Sequence, residues 1–490
     1  MQELKVKTVR GGLARLCAQG ASLVLRVATL MVLARLLSPE DFGLVGMVTA
    51  VTGVLTWFRD FGLSAATIQH PTVSASQLST LFWINIVVGT LLTLLVMAIA
   101  PAIAAFYHQP HLVGLTLVLA LGFLFNAAGV QHSALLQREM RFTTLSAISV
   151  LSLTASAGLA IGTGEAGFGY WSLAAMSVSA PLVSSIAFWL TTRWIPGMPR
   201  RGSGVRSMMH FGGALTLNGI IAYVAFNSDK VMIGRFWGAS AIGIYGRAYQ
   251  LINIPVDNFN SAVGEVAFAA LSRVQGDAVR LRKYFLKGFS FVLGLTLPIT
   301  IVCALFANDL VLVVLGPRWA SAAAIVRLFS PTIAIFAIIN PLGWLIYSLG
   351  LVRRGVMIAA VFAPIMITGC LIGLSHGPTG VAFAYSAVMM LWVLPHIAWC
   401  VSGTPISFWD ILLAVSRPLG SGILAGGLAI AFQQLYGQTL SPFFRLALEA
   451  TIVFAAFFGI LLFLAGQKEL YLDLFRGLKG TPVGTAPAPQ

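Results

Sequence analysis

Arg15, Gln19, Ser22, Arg26 and Thr29 recur at alternating spacings of four and three along the first apolar stretch of the chain, Leu13 to Leu37. Such spacing sets them on one helical face, with Leu23, Leu25, Val27, Leu30 and Val32 covering the rest. A helix of that length reaches about 37 Å at about 1.5 Å per residue, enough to cross a bilayer. Arg26 then lies near the midplane, where an unpaired charge costs roughly 2.5 kcal/mol or more, so it must face protein or a watery cavity. Arginine keeps its charge in any site and presents planar, paired donors that match phosphate oxygens. The second apolar stretch adds Arg59 and Asp60 within WFRDFGL. Arg15, Arg26 and Arg59 together describe a cationic cavity for an anionic group. The alternatives are an Arg59–Asp60 pair and an Arg15 that snorkels to the membrane interface.

A second polar set lies farther on and is mixed in sign. Tyr223, Asn227, Asp229 and Lys230 fall in one apolar stretch; Gln250, Asn253, Asp257 and Ser261 form a stripe in the next, with Arg247 and Glu265 nearby. A carboxylate inside a bilayer is costly when charged, which makes Asp257, Glu265 and Asp229 candidates for a proton or sodium site. The competing reading is a static Asp229–Lys230 or Arg247–Asp257 ion pair. Glu449 and Arg327 stand isolated in their stretches and carry no assignment.

What positions these residues is a membrane-spanning helical bundle. The chain of 490 residues is 58% hydrophobic and only 9% charged, with a mean hydropathy of +0.90. That balance excludes a soluble globular protein. Apolar stretches at about 13–37, 42–66, 78–106, 112–136, 143–163, 168–192, 211–236, 241–268, 285–307, 321–349, 355–375, 379–401, 411–433 and 444–465 predict an all-α polytopic protein of 12–14 transmembrane helices. Trp83, Trp171, Trp194, Trp237 and Trp319 fall near predicted helix ends, as in an interfacial aromatic belt. With the N-terminus cytoplasmic, the basic residues gather on one side, among them Lys5, Arg138, Arg193, Arg280, Lys283, Arg353 and Lys468. The other side holds only Arg318 and Arg445. This positive-inside bias places both termini in the cytoplasm. It also accounts for the net charge of +15 without a nucleic-acid partner. Cys17, Cys303, Cys370 and Cys400 lack paired metal spacing and read as buried free thiols. No phosphate-binding loop of the GxxxxGK[ST] type and no HExxH, CxxC or GxSxG motif occurs, so no cofactor and no catalytic group is expected.

The chain also repeats itself. VLARLLSPEDFGLV at 32–45 and MIGRFWGASAIGIY at 232–245 align 200 residues apart, matching Arg35 with Arg235 and Gly43 with Gly243. Six predicted helices separate the copies, so both run the same way across the membrane. Two six-helix lobes related by an axis along the membrane normal follow from this, with a substrate path between them. The boundaries are 1–200 for the N-lobe, 201–402 for the C-lobe, 403–466 for two additional helices and 467–490 for a cytoplasmic tail. Within the tail, Thr481–Gln490 has a disordered composition. Arg35 falls about half a turn out of phase with Arg26, which suggests a structural role, bonding the turn carbonyls or Glu40 and Asp41.

LARLLSPEDFGLVGM, DFGLSAATIQ, LLQREMRF, GYWSLAA and SDKVMIGRFWGASAIGIYGRAYQL, in that order, resemble the Wzx-type polysaccharide flippases, most of all the branch with the colanic-acid exporters. The resemblance runs from about Lys7 to Trp399 and fades over the last two helices. It implies the multidrug/oligosaccharidyl-lipid/polysaccharide exporter superfamily, with two six-helix bundles around a central cavity and alternating access. By analogy with relatives that flip lipid-linked cell-wall precursor, Arg26, Arg59, Lys230 and Arg15 would hold the pyrophosphate. Gln19, Ser22, Asn227 and Asn253 would line the cavity, and Asp257, Glu265 or Asp229 would bind the coupling proton or sodium. The expected function is movement of undecaprenyl-pyrophosphate-linked oligosaccharide across a bacterial inner membrane for exopolysaccharide or O-antigen assembly. Membrane lipids, a polysaccharide polymerase and a chain-length regulator are the expected partners. A cation-coupled multidrug exporter is the alternative within the superfamily. A membrane-embedded polymerase or ligase is the alternative of another class.

Overall fold

The computed structural model describes residues 2–58, 67, 74–199, 206–436, 440–469 and 471–472, with side chains described outside 2–18, 206–218, 255, 257–262, 265–266 and 269. The described residues form helices and no strand. In chain order these are α1 (Gln2–Leu36), α2 (Pro39–Thr52), α3 (Ala75–Tyr107), α4 (Leu112–Arg138), α5 (Phe142–Glu165), α6 (Tyr170–Thr192) and α7 (Arg206–Arg273). Then come α8 (Ala278–Leu305), the short α9 (Ala307–Val314), α10 (Ala322–Ser348), α11 (Val352–Gly373), α12 (Gly377–Val401), α13 (Phe408–Tyr436) and α14 (Pro442–Gly459). Every stretch expected to span falls at least in part on one of these helices, the second continuing from α2 into a 3₁₀ turn at Gly53–Phe58. The end of the second, at 59–66, lies outside the described residues, as does the tail 473–490.

Eleven runs among the described residues are long and apolar enough to cross a membrane, and one of them, Val352–Val401, holds both α11 and α12. Helix α7 supplies two of the expected stretches, parted at Gly238, whose φ of +82° and ψ of −175° leave the helical region. Its halves carry Asp229, Lys230 and Arg235, then Arg247, Asp257 and Glu265.

Packing groups the chain into two compact units that interleave in sequence. The first comprises Met1–Ala248, Val314–Ala322 and Ala359–Ala384; the second comprises Tyr249–Val313, Ala323–Ile358 and Tyr385–Gln490. These are units of packing, whereas the lobes read from the sequence are units of the repeat.

In the first unit α1 lies on α5, α3 on α4, and α6 on both α4 and α5. Helix α2 begins with a capping box. The Ser38 hydroxyl accepts from the Asp41 amide at 3.2 Å, and the Asp41 carboxylate accepts from the Ser38 amide at 2.9 Å. Asp41 is thus part of the cap, while Arg35 donates to the carbonyls of Met31 at 2.9 Å and Val314 at 3.3 Å. Trp319 departs from the interfacial belt expected of it. It is fully buried, donates from Nε1 to the Ala34 carbonyl at 2.8 Å, and packs edge-on to Phe42 at 5.3 Å. A buried indole needs one acceptor, and the open carbonyls at the end of α1 supply it. Trp319→Phe keeps the ring contact and orphans that carbonyl. A loss of about 1 kcal/mol is expected in the thermal unfolding of the purified protein.

The aligned repeat takes physical form here. A Cβ on Gly43 would lie 1.7 Å from the Ala239 carbonyl oxygen, and one on Gly243 would lie 1.8 Å from the Pro39 carbonyl oxygen. Ala239 is the twin of Pro39 at the 200-residue offset, so the contacts are reciprocal, as at a two-fold axis. Around this crossing a Cβ added at Gly46 would meet Ile242 at 3.7 Å, and the Arg247 guanidinium stands 4.7 Å over the Phe42 ring. Residues without a Cβ let two helix backbones meet this closely.

The second unit has its core along α8, where Leu281, Phe285, Phe289, Leu293 and Leu297 are buried with Leu342 and Leu345 of α10 and Phe457 of α14. Helices α13 and α14 pack on each other and on α8.

Candidate functional site

On α1 the buried residues Leu30, Leu33 and Leu37 lie on the same side as Arg26, four, seven and eleven residues beyond it. The opposite stripe, Val24, Val32 and Leu36, is exposed and suits lipid. Arg26 nevertheless is exposed, and among the described residues it makes no hydrogen bond or ion pair. Its guanidinium is open although apolar residues on the same side of the helix are buried. Gln19 and Ser22, on the same face, are half-buried. Thr29, the last of the stripe, is buried and turned back on its own helix, its hydroxyl bonded to the Leu25 carbonyl at 2.7 Å.

The first half of α7 contributes a polar ladder. Lys230 Nζ donates to Asn227 Oδ1 at 2.7 Å, Asn227 Nδ2 donates to the Tyr223 carbonyl at 3.0 Å, and the Tyr223 hydroxyl donates to the Thr49 carbonyl of α2 at 2.9 Å. Spacings of four and three put these side chains on one face. Asp229 lies on another, only 1% exposed, with Oδ2 accepting from the Tyr245 hydroxyl at 2.6 Å and Oδ1 without a hydrogen-bond partner. The break at Gly238 is what brings Tyr245 back to Asp229, sixteen residues earlier. No sequence spacing announces that pair.

Of the expected site residues, the structure thus brings together Asn227 and Lys230 by a direct bond, and sets Arg26, Gln19 and Ser22 on one face. Asn253 is half-buried in the second half of α7. Arg59 lies outside the described residues, as do the side chains of Arg15, Asp257 and Glu265. No group of three metal-binding His, Cys, Asp or Glu side chains occurs among the described residues. His132, not singled out by the sequence, is buried with its ring stacked on Trp189 at 4.5 Å and its Nε2 3.3 Å from the Trp194 carbonyl. It pins the segment after α6 and serves packing.

Tyr245→Phe removes the donor to a buried carboxyl and is expected to cost about 1–3 kcal/mol in thermal unfolding. The double variant Tyr245→Phe/Asp229→Leu, which removes both polar partners, should recover most of that loss.

A family model described as polysaccharide biosynthesis protein matches residues 32–324. The chain belongs to this family. As a polysaccharide biosynthesis protein it resembles TuaB, a teichuronic acid biosynthesis protein of Bacillus subtilis, at 32% identity over 59% of this chain and 61% of that one. The matched region therefore spans less than two thirds of TuaB. It resembles WzxC, a lipopolysaccharide biosynthesis protein of Escherichia coli, at 26% identity over 79% of this chain and 80% of that one. It also resembles ExoT, a succinoglycan biosynthesis transport protein of Rhizobium meliloti, at 24% identity over 94% of both chains. These bear out the Wzx-type resemblance. In fold, the family member superposes on the lipid II flippase MurJ in an inward closed conformation at a TM-score of 0.73, over 96% of this chain and 100% of that one. At 14% identity that likeness establishes the fold alone.

Proposed function

We propose that this polysaccharide biosynthesis protein is a flippase that carries undecaprenyl-pyrophosphate-linked oligosaccharide from the cytoplasmic to the outer leaflet of a bacterial inner membrane. The single observation that carries the reading is Arg26, a permanent cation open to space on the packed side of α1. In that space the pyrophosphate sheds its hydration onto guanidinium donors. Arg26, Lys230, Arg59 and Arg15 hold it, while Gln19, Ser22, Asn227 and Asn253 line the path for the first sugars. The polyprenyl tail stays in lipid, so the protein has to shelter only the headgroup. Alternating access then follows from rocking the N-lobe, 1–200, against the C-lobe, 201–402, about the site. Ion binding at Asp229, Asp257 or Glu265 resets the cycle. Of these Asp229 has a buried carboxyl oxygen free to take a proton. No step needs a cofactor or makes a covalent bond, and the protein acts beside a polymerase and a chain-length regulator that use the delivered lipid. Both termini lie in the cytoplasm on this reading.

The test is reconstitution in liposomes with a fluorescent polyprenyl-pyrophosphate oligosaccharide, scoring leaflet transfer with and without a proton or sodium gradient. Gradient-stimulated transfer is the expected result. Expulsion of an unrelated cationic dye without lipid transfer would move the chain to the drug exporters.

A further inference from the structure

Helix α13 is divided lengthwise into two faces. Ile411, Ser421, Ala425 and Ala429 are buried, and a Cβ added at Gly422 or Gly426 would meet Ile301 of α8 at 3.0 or 3.5 Å. That face is the one packed within the second unit. The other face carries Leu413, Leu424, Leu428 and Leu435, all exposed. A row of open leucines along a helix apolar enough to cross a membrane suits lipid. Arg417 interrupts the row, four residues after Leu413 and seven before Leu424. It is exposed, and among the described residues its guanidinium makes no hydrogen bond or ion pair.

The depth of Arg417 follows from the helix. It lies nine residues past Phe408, where α13 begins, or about 13 Å along the axis. A helix of 29 residues is about 43 Å long, so a hydrocarbon core of about 30 Å centred on it begins about 7 Å before Arg417. An arginine stem reaches about that far, which brings the guanidinium up to the level of lipid phosphates. Trp409, 69% exposed, marks the interface at this end. The acid on the same face is already matched. Asp410 accepts from Arg282 of α8, Nε to Oδ2 at 2.8 Å and Nη2 to Oδ1 at 2.6 Å, and α13 contains no other acid. Arg417 is thus a cation in excess at the rim of an apolar lane. A guanidinium pairs with two phosphate oxygens at once, and a lipid of net negative charge balances it. A zwitterionic lipid brings its own ammonium and leaves the rim positive.

We infer that α13 carries a site for an anionic phospholipid, with Arg417 on the lipid phosphate and Leu424 and Leu428 along its acyl chains. The site lies on the lipid-facing side of the second unit and does not depend on the proposed function. Its occupant is a resident of the bilayer, bound by charge at one end and by apolar contact along the rest.

The test titrates the full-length protein in detergent with phosphatidylglycerol, phosphatidylethanolamine or a polyprenyl pyrophosphate and counts bound lipid by native mass spectrometry. Phosphatidylglycerol should bind the wild type in preference to phosphatidylethanolamine. Arg417→Gln should weaken that binding roughly tenfold, the loss of one charge-assisted phosphate contact. Arg353→Gln, which removes an exposed cation from α11 of the same unit, should leave it unchanged. Equal weakening by the two substitutions would reduce the effect to bulk charge and overturn the inference. Equal binding of the two phospholipids would overturn it too. Tighter binding of polyprenyl pyrophosphate than of phosphatidylglycerol, lost in Arg417→Gln, would hand the site to the transported lipid and overturn it as well. The contrast between the two phospholipids on the wild type needs no variant, so it remains a complete test if Arg417→Gln fails to fold.

Discussion

Gly43→Ala and Gly243→Ala are each expected to abolish polysaccharide export, although each adds a single carbon. The new Cβ would stand 1.7 Å from the Ala239 carbonyl oxygen in one case and 1.8 Å from that of Pro39 in the other. Real Cβ contacts essentially never fall under 3.0 Å, so the helices must separate by more than an ångström. The obstacle is backbone, so no rotamer change relieves it. Overpacking an ordinary core costs about 1–3 kcal/mol, and this case lies at or above the upper end. The damage does not stay local. The same crossing seats Phe42 under Arg247 and against Trp319, and Trp319 holds the end of α1. Because the two contacts are reciprocal, the two substitutions should behave alike. The double variant should cost much less than their sum, since either one already opens the crossing. Export in cells and melting of the purified protein provide the readouts. Full export from Gly243→Ala would mean that this crossing is not kept in the working cycle.

Arg26→Ala is expected to lower leaflet transfer of the lipid-linked oligosaccharide by tenfold or more while leaving the amount of protein in the membrane unchanged. The two halves of that prediction come from the same observation. An exposed guanidinium that makes no hydrogen bond or ion pair among the described residues contributes little to stability, so its loss should not unfold the chain. A ligand phosphate that lost about 1.4 kcal/mol of binding would account for the first tenfold, and a charge-assisted bidentate contact exceeds that. Arg26→Lys keeps the charge without the planar fork and should retain part of the activity. Arg26→Gln should behave like the alanine variant, because a neutral amide does not balance a pyrophosphate. Normal transfer from Arg26→Ala would remove the residue from the headgroup site.

Much of the architecture was legible in the sequence because it rests on short-range physics. A bilayer demands helices with satisfied backbones and long apolar faces, and the periodicity of such helices can be read one turn at a time. The expected stretches fall on helices for that reason. The placing of Arg26 on a polar face was likewise set by spacings of four and three. What spacing alone left open was whether that face met protein, lipid or a gap. The structure shows Leu30, Leu33 and Leu37 of that face packed on protein and Arg26 open beside them.

Contacts between residues far apart in the chain were another matter. The repeat disclosed that Gly43 and Gly243 are equivalent, and only the tertiary structure showed them packed backbone to backbone at one crossing. Trp319 has the composition of a belt residue and becomes a buried plug because the carbonyl of Ala34, far away in sequence, comes to its indole. Asp229 meets Tyr245 only through the break at Gly238, and Arg445 finds Asp309 136 residues away in the chain. The sequence by itself determined the helices, their faces and the family; the tertiary structure decided which buried polar groups find partners. The reason is that helical order is fixed within a turn, whereas satisfaction of a buried charge depends on whichever distant group arrives beside it.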